Sequence, residues 1–234
     1  MAAYLQIEGL VQYYGRGNIL RGVDLEVPEG RCACLLGRNG VGKTTLVECL
    51  MGLLPVRKGR ILLGGRDATS WSSHERARRG LGYVPQGRQI FPLLSVEENL
   101  RVPLAARADR GRTVPERVYE LFPDLEKMRA RRGGDLSGGQ QQQLAMARAL
   151  VLEPRVLILD EPTEGIQPNI VSEIVALVRK LTHEDGMTVL QVEQKVPVAR
   201  KVADSYAIME RGRVVASGMM ADLDAETIKS RLAV

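Results

Sequence analysis

Residues 37–44, which read Gly-Arg-Asn-Gly-Val-Gly-Lys-Thr, constrain the fold of this chain more than any other segment. An apolar stretch typical of a β-strand precedes them, and apolar residues with helical periodicity follow them. Glycines allow backbone N–H groups to turn toward phosphate oxygens, and the N-terminus of the following helix attracts the same anion. We expect the Lys43 ammonium to bind the β- and γ-phosphates and the Thr44 hydroxyl to ligate Mg²⁺. This phosphate loop (residues 37–44) therefore predicts a nucleoside triphosphate site.

A second group of candidate site residues follows the apolar run 156–159. Such a run indicates a strand buried on both faces, and open α/β sheets bind ligands at the carboxyl ends of their strands. Asp160 and Glu161 stand at that end. We expect Asp160 to hold Mg²⁺, commonly through water, and Glu161 to contact the water that attacks the γ-phosphate. The alternative is an Asp-Glu pair that caps a helix before Pro162.

The remaining pattern predicts an α/β fold, because strands alternate with helices. We expect a P-loop nucleoside triphosphatase core with a mainly parallel sheet, an N-terminal antiparallel β subdomain and an inserted helical subdomain. The core would comprise residues 1–86 and 154–234, and residues 87–153, which carry few strand signals, would form a separate helical lobe. Strands are predicted at 5–10, 24–27, 31–36, 61–63, 81–84, 156–159, 187–192 and 205–209, with helices over about 46–54, 140–150 and 170–181.

Composition excludes several classes of protein. No run of about 18 apolar residues is present to span a bilayer, and the first residues lack the pattern of an export signal. The 33 basic and 28 acidic residues give a net charge of +5, which fits an anionic partner or an ordinary basic surface. Only 2 Phe and 1 Trp are available for base stacking, so we expect no nucleic-acid partner and interpret the Arg-rich segments 76–79 and 129–132 as solvated helix faces. The 3 cysteines fit reduced, structural thiols on the cytoplasmic side.

Residues 136–140, Leu-Ser-Gly-Gly-Gln, place a serine and two glycines at the start of a predicted helix, which makes a second anion-binding helix end. This signature segment (residues 136–140), with the phosphate loop and Asp160-Glu161, resembles the ATP-binding-cassette (ABC) ATPases over essentially the whole chain. The resemblance implies that two cassettes form a head-to-tail dimer around two ATP molecules. Ser137 and Gly139 of one copy would then contact the γ-phosphate of the ATP held by the other.

Further residues match the family. Tyr14 stands where ABC ATPases place an aromatic ring on adenine; the alternatives are Tyr13 in that position and a plain packing role for either ring. Gln86 resembles the glutamine that joins the core to the helical lobe and reaches Mg²⁺ or the attacking water; the alternative is a plain surface glutamine. The resemblance thus implies nucleotide contacts from Tyr14, Gly37, Arg38, Asn39, Gly40, Val41, Gly42, Lys43, Thr44, Thr45, Ser137, Gly138, Gly139 and Gln140, catalytic roles for Gln86, Glu161 and Gln194, and Mg²⁺ ligation by Thr44, Gln86 and Asp160.

Other segments resemble one branch of the family. Residues 85–92, 95–100 and 160–168 look like the branched-chain amino-acid importers, and residues 12–15, 36–42 and 133–143 are nearest the second ATPase subunit of urea and short-amide importers. This resemblance implies separate transmembrane permease subunits, a sister ATPase or a second copy of this chain, and indirectly a solute-binding protein. It places the chain at the cytoplasmic face of the inner membrane. The alternatives are a soluble ABC-type switch acting on nucleic acid or ribosomes and a P-loop kinase.

Two departures from the family pattern affect the predicted chemistry. Gln167 stands where many members have an aspartate that contacts the opposite phosphate loop, and Gln194 stands where the switch histidine is usual. Glutamine donates hydrogen bonds but does not shuttle protons at physiological pH. We therefore assign the base role to Glu161 and a positioning role to Gln194, and we expect His74 and His183 to lie outside the site.

Overall fold

A computed structural model describes residues 3–15, 17–107 and 111–232. The strands are β1 (Ala3–Tyr14), β2 (Gly17–Pro28), β3 (Cys32–Leu36), β4 (Lys58–Leu63), β5 (Arg66–Asp67), β6 (Leu81–Val84), β7 (Val156–Asp160), β8 (Thr188–Glu193), β9 (Ser205–Glu210) and β10 (Arg213–Met219). The α-helices are α1 (Lys43–Met51), α2 (Ser73–Arg78), α3 (Val96–Arg101), α4 (Glu116–Leu121), α5 (Pro123–Lys127), α6 (Gly138–Leu150), α7 (Pro168–His183), α8 (Val196–Val202) and α9 (Ala225–Arg231). Short 3₁₀ helices span Val102–Ala106, Gly133–Asp135 and Met220–Asp222.

The strands form two sheets, which confirms the predicted fold class. The first has the order β2-β1-β4-β5, and all of its neighbouring strands are antiparallel. The second has the order β10-β9-β3-β8-β7-β6 and is parallel except for β10. Since β8 lies between β3 and β7, the segments that follow these three strands meet at one edge of the sheet.

The central strands are buried because helices cover both faces of the parallel sheet. Every residue of β3 and of β7 is buried. Cys32 and Cys34 on β3 and Cys49 on α1 are free, buried thiols, as predicted. Burial raises the pKa of the Cys49 thiol to about 11, so this group stays protonated at neutral pH.

The segment 87–153 contains α3, α4, α5 and α6, in agreement with its predicted helical character. Its buried side chains belong to the same apolar cluster as residues of the parallel sheet: Val96 and Leu144 share that cluster with Leu157 and Val189. The helical segment therefore packs directly on the sheet, and the exact boundaries at 86/87 and 153/154 stay a prediction. None of the helices in the described ranges combines the length and apolar character needed to cross a bilayer.

The first two strands are longer than the predicted segments 5–10 and 24–27. Each has 12 residues, because backbone pairing continues beyond the apolar pattern as far as Tyr14 opposite Gly17. Helix α6 also begins earlier than predicted, at Gly138 instead of Gln140, with Ser137 as its N-cap. In both cases the hydrogen bonds, which a hydropathy pattern does not report, decide where the element begins or ends.

The interpretation of residues 76–79 as a solvated face is wrong for Arg76, which is only 1% exposed. Its guanidinium donates hydrogen bonds to backbone carbonyls of Cys49, Leu50, Thr69 and Trp71. The last carbonyls of a helix have no partner within that helix. Arg76 is buried because it supplies donors to the last turn of α1, the helix that begins at the phosphate loop.

Candidate functional site

The phosphate loop joins β3 to α1 in the middle of the parallel sheet. Gly42 precedes α1 with φ 112, a conformation that favours glycine, and a Cβ on Gly37 would lie 2.7 Å from the Met209 carbonyl oxygen. The Lys43 Nζ donates to the carbonyl oxygens of Gly37 (2.7 Å) and Arg38 (3.0 Å). These contacts hold the ammonium across the mouth of the loop, where phosphate oxygens would compete for it.

Asp160 lies at the end of β7 and is only 1% exposed. Neither of its carboxylate oxygens has a hydrogen-bond partner among the described residues. Burial, and then the neighbouring Glu161 carboxylate, raise the pKa of Asp160 from its usual value of 3.8 to about 6. A buried carboxylate without partners is costly, and a bound cation would remove that cost.

Glu161 is the centre of the predicted catalytic group. Its backbone has φ 49, which is unusual for a residue with a side chain, and the residue is 9% exposed. Lys43 Nζ lies 3.4 Å from Oε1, while Gln194 Nε2 (2.7 Å) and Gln86 Nε2 (3.4 Å) donate to Oε2. The structure thus brings together the residues that the sequence predicted from four separate segments.

The signature segment is organised around the first turn of α6. Ser137 Oγ accepts from the Gln140 N–H at 3.3 Å, and Gln140 Oε1 accepts from the Ser137 N–H at 3.0 Å, which is a capping box. A Cβ on Gly139 would lie 2.8 Å from Ile170 Cγ1, so α7 packs against this glycine. No hydrogen bond or ion pair between described residues joins 136–140 to the phosphate loop. Within one chain the two anion-binding ends are therefore not bonded to each other.

A family model described as ABC transporter matches residues 20–164, which is more than half of the chain. The chain belongs to the ABC transporter family. As an ABC cassette it binds and hydrolyses ATP, which excludes the P-loop kinase alternative.

The cassette is similar to transport ATPases over most of its length. It is 38% identical over 212 residues to the high-affinity branched-chain amino acid transport ATP-binding protein BraG of Pseudomonas aeruginosa, covering 90% of this chain and 91% of BraG. It is 37% identical over 213 residues to LivF of Archaeoglobus fulgidus, a probable branched-chain amino acid transport ATP-binding protein, covering 90% of this chain and 89% of LivF.

Solved cassettes share the fold. A nucleotide-free ATP-binding cassette from an ABC transporter superposes with a TM-score of 0.85 at 26% identity and covers 100% of this chain and 96% of its own. A dimeric post-hydrolysis state of the cassette MJ0796 bound to ADP and Pi gives a TM-score of 0.82 at 27% identity, covering 92% of this chain and 98% of its own.

The structure distinguishes the two tyrosines of this ABC cassette. Partial burial, and then the Glu48 carboxylate of α1, raise the pKa of Tyr14, so its phenol lies beside the helix that follows the phosphate loop. Tyr14 is 51% exposed. In contrast, the Arg57 guanidinium lies over the Tyr13 ring, 5.2 Å from its centroid. Tyr14 therefore has the more available face beside α1, and its contact with adenine stays a prediction.

Sequence reasoning missed two carboxylates of the cassette. Glu164 Oε2 accepts from Gln86 Nε2 at 2.8 Å, closer than the contact of that amide with Glu161. Glu193, at the end of β8, is 3% exposed, and its Oε1 accepts from Thr163 Oγ1 at 2.8 Å. Burial raises the pKa of Glu193. The sequence feature that could have identified Glu193 is its position next to Gln194, in a strand that is otherwise mostly apolar.

The residues that depart from the family pattern have different surroundings. Gln194 donates to Glu161, as described above, whereas Gln167 is exposed and makes no side-chain hydrogen bond as the N-cap of α7. His74 on α2 and His183 at the end of α7 are exposed, as expected. In this ABC cassette the described residues around Glu161 thus include amides and carboxylates but no imidazole.

Proposed function

We propose that this chain is the ATP-hydrolysing subunit of an importer of the branched-chain amino-acid branch. Two cassettes would enclose two ATP molecules, each between the phosphate loop of one copy and residues 137–140 of the other. The dimeric ADP-bound state of MJ0796 and the absence of a bond between the two segments within one chain support this arrangement. Closure and opening of the dimer would drive uptake of a small polar solute through separate permease subunits.

The observation that carries the proposal is the convergence of Lys43, Gln86 and Gln194 on Glu161. The Glu161 carboxylate would accept a proton from the attacking water as the bond to the γ-phosphorus forms and the bond to the ADP oxygen breaks. Gln194 would hold the carboxylate in place through its 2.7 Å hydrogen bond. Lys43 would exchange its loop carbonyls for the β- and γ-phosphate oxygens.

The residues near the phosphate loop fit a divalent cation with oxygen ligands. Both oxygens of Asp160 are buried and have no hydrogen-bond partner in the part of the chain that the structure describes, Thr44 is exposed in the loop, and the Gln86 side chain also carries an amide oxygen. Such neutral and anionic oxygens are the ligands that Mg²⁺ prefers. When bound, Mg²⁺ would neutralise charge that develops on the phosphates.

The solute is proposed from resemblance alone, because this subunit would not touch it. BraG and LivF are named for branched-chain amino acid transport, which favours that solute class. The segments 12–15, 36–42 and 133–143 favour urea or a short amide. In either case the partners would be permease subunits, a sister ATPase or a second copy, and indirectly a solute-binding protein, with the cassette attached peripherally at the cytoplasmic face of the membrane.

The substitution Glu161→Gln tests the catalytic assignment. We expect ATP turnover to fall by about 10²–10⁴, while ATP still brings two cassettes together because the phosphate contacts remain. Glu184→Gln, on an exposed residue after α7, is the matched control and should leave turnover unchanged. Near-normal turnover by Glu161→Gln would remove this residue from the base role.

Purification from detergent-solubilised membranes tests the transport assignment. We expect permease subunits to co-purify with the cassette, and the ATPase activity of reconstituted vesicles to rise with one solute class. Recovery of RNA-protein particles without a membrane protein would instead favour the soluble switch acting on nucleic acid or ribosomes.

A further inference from the structure

The turn after Gln86 has an unusual backbone. Gly87 (φ 76), Arg88 (φ 70) and Gln89 (φ 45) are consecutive residues with positive φ, and the Gln89 N–H donates to the Gly87 carbonyl at 2.8 Å. A hydrogen bond between residues two apart around a central positive φ is the pattern of the rare γ-turn. Residues with side chains are strained in this region, and they persist there only where the surrounding structure holds them.

Helix α6 holds this turn at two points. Arg88 Nη1 donates to Gln141 Oε1 at 3.2 Å, in the first turn of the helix. Arg148 Nη1, near the other end of the helix, donates to the Gln89 carbonyl at 2.7 Å, and its guanidinium lies 4.5 Å from the centroid of the Phe91 ring. The strained turn is therefore attached to both ends of the helix that begins at the signature segment.

The Arg88 guanidinium also lies against the signature segment itself. A Cβ built on Gly138 would be 3.1 Å from Nη1, 3.2 Å from Nη2 and 3.4 Å from Cζ, so the plane of the guanidinium covers this glycine. Its partner Gln141 donates to the Leu136 carbonyl at 3.2 Å and to the Gly133 carbonyl at 3.4 Å. Arg88 and Gln141 together fix the backbone on both sides of Ser137.

The other end of the turn touches the catalytic group of the same chain. Gln86 donates to Glu164 at 2.8 Å and to Glu161 at 3.4 Å. Two residues later, Arg88 contacts the helix start that, under the proposed function, completes the ATP site of the opposite cassette. We propose that Arg88 is a positioning residue that holds the signature segment in the orientation required to bind the partner's ATP.

Arginine is suited to this position for a geometric reason. Its planar guanidinium packs flat on Gly138 while one of its N–H groups reaches the Gln141 oxygen. Lysine has the same charge but ends in a single tetrahedral ammonium, which cannot lie flat on Gly138 while it donates to Gln141. Positioning by Arg88 therefore predicts different behaviour for arginine and lysine, whereas simple attraction of ATP by positive charge predicts the same behaviour for both.

The test uses the full chain in the Glu161→Gln background, so that bound ATP is not hydrolysed. Arg88→Gly is the main variant, because glycine adopts φ 70 without strain and the substitution removes the whole side chain, including the guanidinium. Arg88→Lys retains the charge. Arg66→Ala, on an exposed arginine of β5 that forms no ion pair with a described residue, is the matched control. The measurements are ATP binding by the monomer, ATP-driven dimerisation by sedimentation, and amide hydrogen exchange at 137–141.

We expect Arg88→Gly to weaken ATP-driven dimerisation by at least about tenfold, the equivalent of losing one charged hydrogen bond, and to speed exchange at 137–141 by a similar factor. ATP binding by the monomer should stay unchanged, and Arg88→Lys should resemble Arg88→Gly more than the parent. Unchanged exchange at 137–141 in Arg88→Gly, or parental behaviour of Arg88→Lys, would overturn the assignment. Failure of the parent itself to associate in ATP would count against the proposed dimer, and the exchange measurement would still decide the role of Arg88.

Discussion

Substitution of Asp160 by asparagine should make the nucleotide-free protein more stable at neutral pH. Asp160 is 1% exposed, and its pKa lies near 6 in the folded chain instead of 3.8. Between these two values the folded state holds a proton that the unfolded state has lost. The stability that this proton contributes is therefore complete below pH 3.8 and is lost as the pH rises through about 6.

The size of the effect follows from the difference between the two pKa values. At 1.36 kcal/mol per pKa unit, ionisation of Asp160 costs the folded state about 3 kcal/mol above pH 6. Asp160→Asn has no charge to bury, although its amide adds donors that the site leaves unpaired, at a cost of about 1–2 kcal/mol. That cost does not change with pH. The pH-dependent part of the difference in free energy of unfolding between the two proteins therefore reports only the ionisation of the Asp160 carboxylate.

Urea denaturation of both proteins between pH 4 and pH 7.5 gives this difference directly. We expect the free energy of unfolding of Asp160→Asn, minus that of the parent, to rise by about 2.5 kcal/mol across this range, because a small part of the change already occurs below pH 4. ATP hydrolysis by the variant should fall sharply. Saturating Mg²⁺ with ATP should reduce the difference, because a bound cation compensates the parent's carboxylate. A difference that is flat with pH would refute the argument that Asp160 is a buried carboxylate without compensation.

Three further outcomes follow from individual contacts. Arg76→Ala should lower the free energy of unfolding by about 3–5 kcal/mol, since 4 hydrogen bonds to backbone carbonyls are lost; a loss below about 1 kcal/mol in urea would contradict this. Gly139→Ala should be destabilised by about 1–3 kcal/mol through contact with Ile170, and a double-mutant cycle with Ile170→Ala should show coupling; additive effects would argue against the contact. Tyr14→Ala should weaken ATP binding in titration calorimetry by about 1–3 kcal/mol, and Tyr13→Ala by much less; the reverse order would assign adenine to Tyr13.

The sequence predicts the parallel sheet and the identity of most site residues for one physical reason. Lys43, Asp160 and Glu161 follow strands 31–36 and 156–159 within a few residues, so the covalent chain leaves them little freedom once the strands are placed. Strand burial fixes the placement, because an apolar run in an α/β protein belongs in the middle of the sheet. At this edge of the sheet, the local sequence therefore suffices to predict which residues lie close together.

The contacts that the sequence did not predict are all long-range hydrogen bonds of polar side chains. Arg76 bonds to carbonyls of α1 that lie more than 20 residues away, and Arg88 reaches Gln141 across a turn whose backbone no hydropathy pattern describes. Glu193 is buried because Thr163 donates to it from the loop after β7. A charged residue in such a place has the same sequence pattern as an exposed one, and only its partners distinguish the two.

Because residue 194 is a glutamine and not a histidine, another group must give this site its pH dependence. A histidine there would lose or gain a charge near neutral pH, whereas the amide of Gln194 donates to Glu161 at 2.7 Å at any pH. Asp160, whose pKa lies at about 6, is then a group of the site that changes its charge close to neutral pH. A bound cation favours its carboxylate form and lowers that pKa. The acid limb of the ATPase profile should therefore move to lower pH as the Mg²⁺ concentration rises, a dependence that an imidazole at residue 194 would not produce.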